Sequence, residues 1–348
     1  MASTKAKERV VARKDSTSHS ALPSVSVIVP TRNRADSLRQ LLHSLSAQVY
    51  PAARIEVIVV DNESTDETEM IVGQAAAVAP FAIHYLRKQN DGPAASRNRG
   101  AEMATGDILA FTDSDCIPSP GWVRTAIAAF KPEVGVVCGP IHPLEIGQEQ
   151  PFFTHQIHLV NREDGLYPTA NVFYRRHVFL ELGGFDEDMR AYSWGQPVGG
   201  DDTMMGWRVR RAGHTSQFAD GAVVFHQATP VSPRAYLFST LAAQILPKLV
   251  VTIPELRETC FYHRYFLHKQ SAVFYLALLG LILSRKTPLA VLLAVPWLQT
   301  TWPALKVDAW PPKRWSRAAL RLVLATESSA VLAATLLFSS ARNRRLVL

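Results

Sequence analysis

From about Ser24 to Thr229, short β-branched runs alternate with segments whose apolar residues return every three or four positions. Residues 25–30 read as a strand, and residues 35–46 place Leu38, Leu41, Leu42 and Leu45 on one helical face. Residues 55–60 form a second strand. It runs into Asp61-Asn62-Glu63-Ser64-Thr65-Asp66, a turn rich in helix-capping residues, ahead of a helix over 70–79. A third strand over 83–86, a third helix over 97–105 and a fourth strand over 108–112 continue the alternation. Strand, helix, strand in repetition predicts a parallel α/β sheet with right-handed crossovers. Ligands in such sheets bind beyond the carboxyl ends of the strands, which here hold Thr31, Asp61 and the pair Asp113/Asp115.

Asp113-Ser114-Asp115 is the most chemically pointed of these ends. Side chains alternate in extended backbone, so acids at i and i+2 share a direction and face one hard cation together. Without a partner they repel, which raises one pKa or calls for a cation between them. The competing reading is a solvated turn in which Asp113 caps a following helix. Asp61 likewise serves either as a helix cap or as an acceptor for a base and ribose. Between them, Asn90-Asp91-Gly92-Pro93-Ala94-Ala95-Ser96-Arg97-Asn98-Arg99-Gly100 offers close backbone approach and the charge of Arg97 and Arg99 to a diphosphate. It matches neither the Gly-X-Gly-X-X-Gly nor the Gly-Lys-Ser/Thr pattern, so a dinucleotide dehydrogenase and a P-loop hydrolase are not supported.

Composition narrows the classes further. A chain of 348 residues predicts one large domain with an appendage, or two domains. Cys116, Cys138 and Cys260 have no metal or disulfide-framework spacing, which suits a reducing cytosolic location. The net charge of +7 lies at the ends: residues 1–20 carry +3 and residues 311–348 carry +6, leaving −2 for the rest. Basic ends beside apolar segments point to an anionic membrane surface and not to nucleic acid. Residues 1–23 lack the apolar run of a secretory signal and read as a basic mobile tail. From 230 onward three apolar segments follow, 272–283, 288–305 with Pro296 and Pro303 inside, and 318–339, with Trp297, Trp302, Trp310 and Trp315 along them. The first is short for a span and the second is broken by proline. The expectation is a helical, membrane-associating region over 230–348 that crosses, re-enters or lies flat; the alternative is a soluble extension packed on the body.

Taken in order, Val-Ile-Val-Pro-Thr-Arg-Asn (27–33), Val-Val-Asp-Asn-Glu-Ser-Thr-Asp (59–66), the 90–100 loop, Asp-Ser-Asp (113–115), Asn171, Gly-Gly-Phe-Asp-Glu (183–187) and Gly-Gly-Asp-Asp (199–202) resemble a family-2 glycosyltransferase of the GT-A fold. The resemblance covers roughly 200 residues and implies a catalytic domain over 24–229 with a Rossmann-like mixed sheet flanked by helices. It implies donor-binding roles for Thr31, Asp61, Arg97, Asn98, Asp113 and Ser114. It further implies a divalent metal, Mn or Mg, held by Asp115 with Asp113 and, in several relatives, a histidine at the position of His226. Asp202 matches the general base of the family's Glu-Asp pair, which reads Asp201-Asp202 here, and Gly184, Phe185 and Asp201 lie on the acceptor side. His226 read by itself is as consistent with a structural residue, and Asp201 and Asp202 with a pair of helix caps. His142, His155 and His158 show no ligand geometry.

The implied activity is inverting transfer of a sugar from a UDP-, GDP- or dTDP-sugar to a hydroxyl on a lipid-linked or cell-envelope glycan, at the cytoplasmic face of the cell membrane. The Gln-X-X-Arg-Trp element of processive synthases is absent after Asp202, so one sugar per encounter is expected. A nucleotidyltransferase making nucleotide sugars is the rival, but residues 29–33 lack the glycine its first loop needs. A non-catalytic, membrane-bound sugar-nucleotide sensor is the other, and it leaves an acceptor-side base such as Asp202 without a purpose.

Overall fold

The structure is a computed structural model that describes residues 22–144, 159–188, 191–193, 196–227, 231–232, 235, 240–306 and 315–348. Most of the basic tail, Trp310, His155, His158 and most of the loop over 143–164 lie outside the described residues.

Seven strands form the main sheet: β1 (Val25–Thr31), β2 (Ile55–Asn62), β3 (Ala82–Lys88), β4 (Ile108–Phe111), β6 (Val134–Cys138), β8 (Val172–Arg175) and β11 (Thr215–Phe218), in the order β11-β6-β8-β4-β1-β2-β3. Every neighbouring pair is parallel except those of β8, which runs antiparallel to both β4 and β6. A second sheet combines β5 (Cys116–Pro118), β12 (Val224–Gln227) and β7 (Ile141–Leu144), with β12 central, and β9 (Ala191–Ser193) pairs with β10 (Gln196–Val198). The helices of the body are α1 (Ala35–Ser46), α2 (Thr68–Val78), α3 (Pro93–Met103), α4 (Trp122–Ala128), α5 (Arg176–Glu181) and α6 (Asp201–Arg211). The expected mixed sheet with flanking helices is therefore what the chain forms. The all-parallel pattern that alternation alone predicts is broken by one four-residue strand.

The sheet is buried on both faces. Val25, Val27 and Val29 of β1 pack with Leu38, Leu41, Leu42 and Leu45 of α1 in one cluster, while Ile28, pointing the other way, joins the cluster under α3 and α6. Period-two alternation in the strand thus feeds two cores. Gly100 of α3 sits on Ile28 so closely that a Cβ there would come 2.5 Å from the Ile28 Cγ2. This absence of a side chain brings α3, with Arg97 one turn earlier, down onto the ends of β1 and β2.

The C-terminal part does not stand apart. Ile245, Leu246, Leu249 and Val250 of the helix Ile245–Thr252, Leu336 of the helix Trp315–Asn343 and Val347 belong to the same core as Phe111 and Met205. No helix among the described residues is long and apolar enough to cross a membrane. Of the three apolar segments, 272–283 lies in a helix of 15 residues, Lys269–Leu283, and 288–305 is divided between a 3-10 segment, Pro288–Ala294, and the helix Val295–Lys306. Proline and the intervening turn break the first two runs before they reach the roughly 20 residues a span needs, and the third, 318–339, lies in the 29-residue helix Trp315–Asn343, which Arg317, Arg321 and Glu327 keep short of the apolar length of a crossing.

Candidate active site

Register places the chemistry. Thr31 pairs with Asp61 at the ends of β1 and β2, and Ile28 pairs with Phe111, so the stretch after β4 emerges on the same rim. Asn33 adopts a left-handed backbone (φ 51°) and stitches the two exits together, its N–H donating to Ser64 Oγ (2.9 Å) and its Oδ1 accepting from Thr65 N (2.7 Å). The next residue, Arg34, is thereby aimed at Asp115 and donates from Nη1 to Asp115 Oδ2.

The acid pair sits where β4 leaves the main sheet and β5 enters the second. Because β12 runs antiparallel to β5 with His226 opposite Cys116, His226 Nε2 lies 3.7 Å from Asp115 Oδ1. Asp115, Cys116 and His226 present ligand atoms within 4.8 Å of one another. Burial pushes the Cys116 thiol well above its ordinary range, with Asp113 adding to the shift, and the Asp115 carboxylate and His226 imidazole are the oxygen and nitrogen donors of the group. Oxygen and nitrogen donors of this kind fit a divalent Mg²⁺ or Mn²⁺. Both acids of the pair are engaged differently: Asp113 Oδ1 accepts from Arg97 Nη2 at 2.7 Å.

Arg97 is buried beneath the cleft. Burial opposes its charge, but the carboxylates of Asp113, Asp201 and Asp202 outweigh that and raise its pKa. One permanent cation therefore holds three acids from two elements in one place. Asp201 and Asp202 occupy the first turn of α6, where the helix dipole favours negative charge, after Gly200 at φ 128°. Asp202 lines the cleft, with Oδ1 accepting from Thr203 N at 2.7 Å. Asp201 is not among the residues that line it, and burial pushes its carboxyl up against the opposing pull of Arg97. Consecutive helical residues are about 100° apart, so one acid lines the cleft and its neighbour does not.

The cleft encloses about 600 Å³ and is lined by Thr31, Arg34, Asn62, Asn90, Arg97, Asp113, Ser114, Asp115, Thr169, Asp202 and His226, among others. Among the described residues, the buried Thr31 hydroxyl and Arg97 Nε make no hydrogen bond within the protein. A buried hydroxyl without a partner at a cleft wall is the kind of group a ligand satisfies.

Besides Asp201, four expected site residues take other positions. Asp61 is 1% exposed, its Oδ1 accepting from Ser64 N (2.8 Å) and its Oδ2 from Tyr85 OH (2.6 Å), so it shapes the wall without lining it; Asn62 lines it instead. Asn98 turns away from the cleft and clamps Phe185, accepting from its N–H and donating to its carbonyl, both at 2.8 Å. The Phe185 ring is buried against Phe111 and Phe179, ring centroids 5.0 Å apart in each case, and Gly184 turns the chain at φ 66° to put it there. These two residues set the loop after α5 and do not line the cleft. Arg34 and Asn62 were missed by sequence reasoning, although Asn62 directly follows Asp61 and Arg34 lies three residues beyond Thr31.

Asn171 anchors the assembly from behind. Its Nδ2 donates to the carbonyls of Pro140 (2.9 Å) and Ala222 (2.7 Å), and its Oδ1 accepts from Trp122 Nε1 (2.8 Å), all out of contact with solvent. The Ala222 bond fixes the approach to β12 and so the placement of His226.

Residues 26–193 match the family described as Glycosyl transferase family 2. The chain is 29% identical over 218 residues to the glycosyltransferase AglE of Haloferax volcanii, covering 61% of this chain and 69% of that one. It is 31% identical over 217 residues to the pre-mycofactocin glycosyltransferase of Mycobacterium tuberculosis, covering 58% of this chain but 42% of that protein. The fold is similar to that of mannosyltransferase PcManGT from Pyrobaculum calidifontis, solved with GDP-Man and Mn²⁺, with a TM-score of 0.56, 22% identity, and coverage of 93% of this chain and 88% of that one.

Proposed function

We propose that this chain, which carries a glycosyl transferase family 2 domain over residues 26–193 and is a glycosyltransferase, moves one sugar at a time from a nucleotide diphosphate sugar to a hydroxyl acceptor with inversion. The observation that carries this reading is the convergence, in one cleft, of Asp113 and Asp115 after β4, His226 on β12 and Asp202 on α6. Thr31 and Asn62 offer polar contacts to the nucleoside, and the unpartnered Thr31 hydroxyl gains its hydrogen bond there. Asp115 and His226 would hold a divalent cation, which offsets the diphosphate charge and makes it a better leaving group. Mn²⁺ accompanies GDP-Man in the similar fold of PcManGT, which supports a metal of this class here.

Asp202 accepts the proton of the acceptor hydroxyl as that oxygen attacks the anomeric carbon and the nucleotide diphosphate departs from the opposite face. Base catalysis of this kind contributes about 10²- to 10⁴-fold. The buried Arg97 guanidinium interacts favourably with the Asp202 carboxylate. The acceptor is a lipid-linked or cell-envelope glycan, and the reaction runs at the cytoplasmic face of a membrane; the basic ends of the chain and its apolar C-terminal segments support this.

Purified protein screened against UDP-, GDP- and dTDP-sugars for diphosphate release, with and without Mn²⁺ or Mg²⁺, tests the donor and metal assignments. Asp202→Asn is expected to lower transfer to a confirmed acceptor by about 10²-fold or more while donor binding persists. Full transfer by that variant would remove Asp202 as the base.

A further inference from the structure

No Asp or Glu occurs between Glu258 and Asp308, although Arg264, Lys269, Arg285, Lys286 and Lys306 do. In the middle of this stretch the helix Lys269–Leu283 turns at residues 284–287 into the 3-10 segment Pro288–Ala294 and the helix Val295–Lys306. The two arms close tightly: a Cβ at Gly280 would lie 2.6 Å from the Ala290 carbonyl oxygen and 2.8 Å from Leu293 Cβ. Inside, Phe274, Ala277 and Trp297 pack with Ala333 of the last helix, and Tyr275 OH donates to the Ala333 carbonyl at 3.3 Å. Outside, the hairpin is apolar and open to solvent. Ile282 is 66% exposed, Leu289 74% and Leu292 60%, with Leu279, Leu281 and Leu298 exposed beside them. The turn between the arms carries exposed Arg285 and Lys286.

Scattered exposed leucines are ordinary, but ten exposed large hydrophobic residues between 278 and 298 on one closed hairpin mark a contact surface. Charge selects its occupant. A second copy would bring the same cations and no acid to the face, whereas an anionic lipid surface supplies both hydrocarbon for the leucines and phosphate for the cations. The arms are too short to cross a bilayer, which leaves insertion into one leaflet. We infer that the hairpin of residues 278–298 is a monotopic docking element, its aliphatic face in the outer acyl region of one leaflet and Arg285 and Lys286 at the headgroup phosphates. This gives the membrane of the preceding proposal a defined contact surface and rests on that reading for its use. The mechanical path to the site is short. The last helix packs on the helix Ile245–Thr252, as in the bond from Ser339 Oγ to the Gln244 carbonyl (2.6 Å), and Ile245 and Leu249 lie against Gly200 beside Asp201.

The test is flotation of the full chain with phosphatidylcholine vesicles, with and without phosphatidylglycerol, using the wild type, the triple substitution Ile282→Ser/Leu289→Ser/Leu292→Ser, and Arg285→Gln/Lys286→Gln. All substituted positions are exposed, and thermal melting confirms folding. Expected is wild-type flotation favouring the anionic vesicles, a loss of about tenfold or more for the triple substitution, and loss of the anionic preference for the double one. Wild-type protein that stays unbound to both vesicles, a triple variant that floats like wild type, or light scattering showing a dimer that the triple substitution dissolves would each overturn the inference. Diphosphate release without vesicles, measured in parallel, tests the glycosyl-transfer reading alone, since neither variant touches the cleft.

Discussion

His226 enters the cleft from the far end of the catalytic region, and its 3.7 Å approach to Asp115 depends on side chains that never touch a ligand. Asn171 is the main one: three buried hydrogen bonds converge on its amide. Asn171→Leu strands the Trp122 indole N–H and two carbonyls, and is expected to cost about 3 kcal/mol or more of stability, read by denaturant unfolding. His226→Gln is expected to leave the fold intact and to raise the Mn²⁺ concentration needed for diphosphate release by about tenfold or more; an unchanged metal titration would take His226 out of the ligand set. The residue types were legible in the sequence, but their directions were not. Arg97 and Asn98 stand together in a polar loop motif, and only the helical turn of about 100° per residue separates a residue at the cleft from one that holds Phe185. Asp61 was read as open to a ligand because a strand end is a usual place for one, and Tyr85 on the neighbouring strand, which takes its second oxygen, is remote in sequence.

At the scale of elements, long periodic segments were the easiest to read. The four leucines of α1 and the β-branched runs of β1 and β2 declare themselves because burial on one or both faces requires them. β8 and β12 have four residues each, too few for a period, and their pairings depend on partners far along the chain. Hence the hydrophobic pattern placed neither the antiparallel strand, which only the family resemblance implied through its mixed sheet, nor the second sheet, although the position of His226 follows from them. Polar ties also set where strands begin. Glu56 Oε1 accepts from Ser26 Oγ (2.5 Å), Thr105 N (2.7 Å) and Thr105 Oγ (2.9 Å), holding the turn between α3 and β4 against β1 and β2. Burial alone would raise the Glu56 carboxyl, but these bonds outweigh it and hold the group below its ordinary value of 4.5. A lowered carboxyl contributes stability above its unfolded pKa and loses it as pH falls through the folded one. Glu56→Ala is therefore expected to cost about 1.5–3 kcal/mol at pH 7, with the gap from wild type closing as pH drops below 4.5. A gap constant down to pH 3 in thermal melts would contradict the ionised role.

For the whole molecule, the apolar C-terminal segments divide into two duties. One part completes the catalytic core, and the helix Ile245–Thr252 forms the seat of the turn that starts α6: a Cβ on Gly200 would lie 3.3 Å from both Ile245 Cγ1 and Leu249 Cδ2. The composition change at 230 was visible in the sequence. Which apolar residues face the body and which face outward was not, because the run is apolar nearly all round and shows little helical stripe. Leu249→Ala is expected to cost about 2–4 kcal/mol and to lower the rate of transfer by more than that loss of folded protein explains, as the seat of Asp202 loosens. Rates normalised to the folded fraction decide the point.

The order in which the cleft is written along the chain also has a consequence for how it is made. Asp115 leaves the ribosome long before His226, and β5 has no strand beside it until β12 is synthesised. A nascent chain thus displays its acid pair first, with the imidazole still to come. The proposed cation site is complete only when the last strand of the body docks, so a chain that stalls in synthesis before His226 carries the acids without the imidazole.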